Sequence, residues 1–149
     1  MAINDYLFIE QPLIARIKEK MPDLQGVFAC ANLVDLANQQ QITPAVHVVY
    51  VGDQIGTTSK DQGNFGKVQQ VAQLWAVILA VYHADPNNTG EGARRMAGPM
   101  IASLLRAVSG WTPDACVKPL VRSNPVPPHY ANGYGYYPFV FKAEFVFNV

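Results

Sequence analysis

The side chains in this sequence able to do more than pack are His47, His83 and His129, Cys30 and Cys116, the pair Arg94-Arg95, and the tyrosines Tyr130, Tyr134, Tyr136 and Tyr137. Histidines and thiols serve as metal ligands, or as a nucleophile with its base, only when they converge on one pocket. No two of the three histidines share a helical i, i+4 spacing, and the cysteines lie far from each other and from them with no Cys-x-x-Cys unit. The expectation is three hydrogen-bonded or exposed histidines and two buried free thiols, with no catalytic set, metal or cofactor. Thr89-Gly90-Glu91-Gly92 looks superficially like a phosphate-binding turn, but it lacks the Gly-Lys-Ser/Thr ending and Glu91 would repel an anion; it reads as a helix entry.

Arg94 and Arg95 would stand in the first turns of that helix, where the dipole disfavours positive charge. They read either as a solvated face or as a pair that meets carboxylates of a neighbouring subunit or partner. The tyrosine cluster could stack bases, yet stacking platforms come with a basic groove, and between Arg122 and Lys142 there is no Lys or Arg. These rings are therefore expected as interface or core anchors.

Eleven Lys+Arg balance eleven Asp+Glu, so net charge will not recruit nucleic acid or an anionic membrane. Charged residues are 15% of the 149-residue chain and hydrophobic ones 50%, against roughly 25% charged in an average globular protein. That deficit points to surface buried in an assembly. The longest apolar run, residues 74–82, is too short to cross a bilayer. Asp5 and Glu10 stand where a secretory signal would be basic and then apolar, so synthesis and retention in the cytoplasm is expected.

Local pattern predicts the elements that hold these residues. Residues 5–21 form an amphipathic helix that Pro12 kinks or starts and Pro22 ends. Residues 26–30 are a short strand, with a possible helical turn or two at 33–37. Val46, Val48, Val49 and Val51 mark a strong strand over 45–51. Residues 52–66 read as a long loop, and 68–84, apolar on both faces, as a central strand. A turn at 85–88 leads to a helix over 92–108, packing through Met96, Met100, Ile101, Leu104, Leu105 and Val108 and stopped by Gly110. Residues 115–121 are an edge strand interrupted by Pro119, and 123–135 a second long loop. The last strand alternates Tyr137, Phe139, Phe141, Ala143, Phe145 and Phe147 with a mixed face. The order predicts a single α+β domain: a mostly antiparallel sheet with helices packed on one face.

Gly110-Trp111-Thr112-Pro113 after the second helix, Met21-Pro22 after the first, Arg94-Arg95-Met96-Ala97-Gly98, and the Tyr136-Tyr137-Pro138 strand follow one another in an order that resembles the phage tail terminator family, including Mu-like tail proteins. The resemblance covers nearly the whole chain and rests on order and spacing. It implies a homo-oligomeric ring, usually a hexamer, at the head-proximal end of the virion tail, assembled in the host cytoplasm. Such a ring caps the tail tube, ends its polymerisation and joins to a neck or head-completion protein. DNA passes through without sequence-specific contact. The interface candidates are Lys60, Asp61 and Phe65 in the first loop, Arg94 and Arg95, and His129, Tyr130 and Tyr134 in the second loop. The competing readings are another ring component of tail or neck, and a small-molecule-binding or enzymatic α+β domain using His47, His83 or Cys116.

Overall fold

The computed structural model describes residues 2–31, 42–56, 66–84 and 89–149. Its centre is β3 (Val68–Tyr82), flanked by β2 (Ala45–Ile55) on one side and by β6 (Tyr134–Asn148) on the other. Both pairings are antiparallel, and β3 runs in register with β6 over its full length, from Val68 opposite Asn148 to Tyr82 opposite Tyr134. The helical stripe latent in residues 68–82 loses to this position: a strand with a neighbour on each side and apolar side chains on both faces suits the middle of a sheet. β1 (Gly26–Ala29) adds a parallel edge beyond β2, β4 (Val121–Arg122) lies along β6, and β5 (His129–Ala131) folds back onto the start of β6. The sheet is thus mixed, with one parallel pair among the described strands, and the fold is α+β.

Two helices, α1 (Glu10–Lys20) and α2 (Glu91–Val108), cover the face carrying Val46, Val48, Trp75, Val77, Leu79, Tyr137, Phe141 and Phe145. They lie antiparallel: Arg16 near the middle of α1 donates to the Ala107 carbonyl at the end of α2 (2.9 Å), whereas Lys20 and Met21 at the end of α1 line a hollow with Pro99, Met100 and Ser103 from the middle of α2. Ile9, Leu13 and Ile17 fill the core from α1; α2 contributes Ala93, Ala97, Leu104, Ala107 and Val108. The stripe on α2 therefore differs from expectation. Met96 is exposed, and Met100, Ile101 and Leu105 are half-buried at the margin, because three alanines let the helix approach the aromatic sheet closely and set its rotation. α1 starts at Glu10 rather than at 5, with residues 5–9 in successive turns closed by Phe8 N to Asp5 O and Glu10 N to Leu7 O. Pro12 stands in the first helical turn, where its missing N–H would have had no intrahelical partner.

Three other expectations are corrected. The edge strand over 115–121 shrinks to Val121–Arg122. Leu120 turns inward and is buried, its N–H bonding to the Trp111 carbonyl (2.8 Å) and its own carbonyl accepting from Gly110 (2.9 Å), while Pro119 has no N–H to offer. The loop over 123–135 contains β5, a hairpin strand joined to β6 through Asn132 and Gly133, both at positive φ (54° and 85°) as a two-residue primed turn requires. The loop over 52–66 starts later than expected, because β2 continues to Ile55 past a bulge between Tyr50 and Gly52. The proposed turns at 33–37 and 85–88 lie outside the described residues.

Candidate assembly surface

The end of β3, the start of α2 and the β5–β6 hairpin meet at one corner of the molecule. Tyr130 on β5 points to the helix side, edge-on to Tyr137 with ring centroids 5.8 Å apart. The Arg94 guanidinium lies 5.9 Å from the Tyr130 centroid, and its Nη1 donates to the Thr89 carbonyl (2.9 Å). Gly90 makes this approach possible: it sits at φ 75°, and a Cβ there would come within 2.9 Å of the Tyr130 ring and 3.1 Å of the Arg94 guanidinium. Gly92 plays the same part for His83, whose ring would lie 2.2 Å from an added Cβ. Arg95 reaches back to Glu91 (2.6 Å) in an exposed i, i+4 pair, a favourable orientation contributing about 0.3–0.5 kcal/mol.

Strand alternation divides the expected tyrosine cluster in two. His129 precedes Tyr130 by one residue and so faces the side opposite α1 and α2, where it stacks on Tyr136 (6.2 Å, 25° between planes). Tyr134 lies on that side too, stacked on Tyr136 at 6.1 Å and tilted against Tyr82 at 4.9 Å. Tyr136 and Tyr137 are core residues. Burial pushes both phenols up, helped by Tyr134 for Tyr136 and by Tyr130 for Tyr137, with Arg94 opposing in the latter case. Arg94 with Tyr130, and Tyr134 with His129, are brought to neighbouring positions on opposite faces of one hairpin. Lys60, Asp61 and Phe65 lie outside the described residues.

The remaining titratable groups are dispersed. His47 is 5% exposed on the sheet face opposite α1 and α2, 5.5 Å from the Phe28 ring; burial lowers its pKa to about 4, and its Nε2 has no hydrogen-bond partner among the described residues. Cys116 packs against the core on the other face, its thiol pushed up to about 11 by burial and so protonated at neutral pH. Among the described residues no group of three or more His, Cys, Asp or Glu comes together as a metal site, and no helix is long and apolar enough to cross a membrane.

Sequence reasoning missed one buried polar relay. Gln73, fully buried, accepts from Trp75 Nε1 (3.0 Å) and donates to the Tyr6 carbonyl (2.8 Å), while the Tyr6 hydroxyl bonds Asp53 and its ring meets Phe145 and Phe147 edge-on. A glutamine two residues from a tryptophan on one face of a central strand was the available signal. Its partner, 67 residues earlier, was not.

What the hairpin corner offers is contact: rigid tyrosine rings, an arginine held against one of them, and glycines that let them pack. These are the side chains that dominate protein interfaces, and they suit a structural component of a phage tail. The chain belongs to the phage tail terminator protein family, whose model matches residues 3–149. That family is structural and non-enzymatic, which places the protein in the virion tail in association with other tail components. Among curated proteins nothing matches.

Proposed function

We infer that the protein works as one copy of a closed homo-oligomeric ring, a hexamer by family resemblance, that seats on the head-proximal end of the tail tube, stops its growth and presents the surface to which the neck or head-completion protein joins. The observation that carries this reading is membership of the tail terminator family over nearly the whole chain. The low charge content supports it, as does the arginine and tyrosine corner built on the β5–β6 hairpin and the start of α2. Arg94, Arg95, Tyr130, Tyr134 and His129 supply contacts to a neighbouring copy or an axial partner; Lys60, Asp61 and Phe65 belong to the same proposal.

The test is assembly of tube protein with and without this protein, imaged by negative-stain electron microscopy. Tubes shortened in proportion to the amount added, with a ring at one end, are the expected result. Tubes that lengthen with added protein would make it a tube subunit instead, and tubes indifferent to it would refute the capping role.

A further inference from the structure

The corner holding Arg94 has a counterpart at the other end of α2. There the N-terminal arm and the segment after Trp111 enclose a concavity of about 310 Å³ with Ile3, Phe8, Pro12 and Ala115 in its wall and Asp5 and Asp114 in its lining. Both aspartates are exposed, and neither forms an ion pair among the described residues; one oxygen of Asp5 accepts from the Leu7 N–H (3.0 Å). An apolar hollow with two carboxylates fits a side chain that is flat, partly apolar and cationic.

Arg94 on Tyr130 is such a group. The guanidinium is exposed, pinned at one N–H by the Thr89 carbonyl and backed by the ring, so little rotamer freedom remains to be lost on docking. Arg94 and the hollow lie at opposite ends of α2, whose 18 residues span about 27 Å, so the two cannot meet within one chain. We propose that the Arg94–Tyr130 corner of one copy docks into the Asp5–Asp114 hollow of a second copy, making a head-to-tail contact between copies. A contact of two different patches propagates, and it closes into a ring when the rotation per copy permits. The inference rests on the ring reading above and adds the pairing of surfaces that the reading leaves open.

Reciprocal charge reversal tests it. In Arg94→Asp a third carboxylate faces Asp5 and Asp114, and in Asp114→Arg the docking Arg94 meets a second guanidinium in a hollow left with only Asp5, so each variant alone should dissociate, with its dissociation constant raised at least about tenfold. An equimolar mixture of the two should reassemble, because every contact between unlike copies is again complementary. Light scattering after size exclusion reads the mass, and far-UV circular dichroism with a thermal melt confirms that each variant is folded. Assembly of either single variant at wild-type affinity overturns the pairing but leaves the ring reading intact, as does a mixture of folded variants that remains dissociated. Wild-type protein that stays monomeric at every concentration overturns the ring reading itself. Should Arg94→Asp unfold, oxidation of the double variant Arg95→Cys/Asp114→Cys, both at exposed positions, replaces it: a ladder of crosslinked multimers, absent from each single variant, supports the pairing, and no ladder overturns it.

Discussion

Lowering the pH should weaken this fold through one side chain, His47. The unfolded chain binds a proton there near 6.5, whereas the folded protein holds the ring neutral until about 4 because it is buried against Phe28, its Nε2 without a hydrogen-bond partner among the described residues. Above 6.5 both states are neutral and the residue has no effect on stability. Between 6.5 and 4 only the unfolded state takes up the proton, so stability is lost as pH falls. At pH 5 the unfolded state is about 1.5 pH units into its titration, which at about 1.4 kcal/mol per unit amounts to about 2 kcal/mol. For a chain of this length that is a fall of about 4–8 °C in Tm. The assay is thermal denaturation of wild type and His47→Leu from pH 8 to pH 5. The carboxylates titrate in both proteins, so the difference between the two curves isolates His47, and the wild-type curve should fall more steeply by the amount given. Parallel curves would refute the argument, because they would mean that His47 is solvated or partnered when folded.

Three further outcomes are expected. Phe141→Ala, in the fully buried row beside Trp75, should cost about 3–5 kcal/mol in chemical denaturation, while Lys142→Ala on the opposite face should change stability by less than about 0.5 kcal/mol. Gln73→Leu keeps the volume but orphans Trp75 Nε1 and the Tyr6 carbonyl; a loss of about 1–3 kcal/mol should appear with faster proteolysis ahead of residue 10. Gly133→Val forces a branched residue to φ 85° and sets its Cβ 2.7 Å from the Tyr82 ring, so a loss of about 1–3 kcal/mol is expected, with the Tyr82 and Tyr134 aromatic resonances shifting in NMR spectra.

Much of this architecture was legible along the chain. The alternation from Tyr137 to Phe147, the β-branched run at Val46 to Val51, the doubly apolar strand ending at Tyr82 and the stops at Pro22 and Gly110 are signals carried by consecutive residues. Side-chain period and φ preference act within a few positions. The Asn132-Gly133 turn was equally local, but three prolines just ahead of it make the whole stretch read as loop. Other features belong to the tertiary structure alone. Leu120 leaves its strand because Gly110 and Trp111, just past the end of α2, offer it backbone partners. The alanines of α2 are the buried face because the sheet beneath is aromatic. Gln73 is satisfied only once the N-terminal arm lies over it. The same holds for the surface: sequence marked Arg94, Tyr130, Tyr134 and His129 as contact residues, but their division between two faces follows from the pairing of β5 with β6. That Asp5 and Asp114 share one hollow, a helix length from Arg94, follows from the antiparallel docking of α1 on α2. A period of two or of 3.6 residues states which side of an element is apolar, whereas which elements meet, and at what register, is decided by the free energy of burying all those sides together.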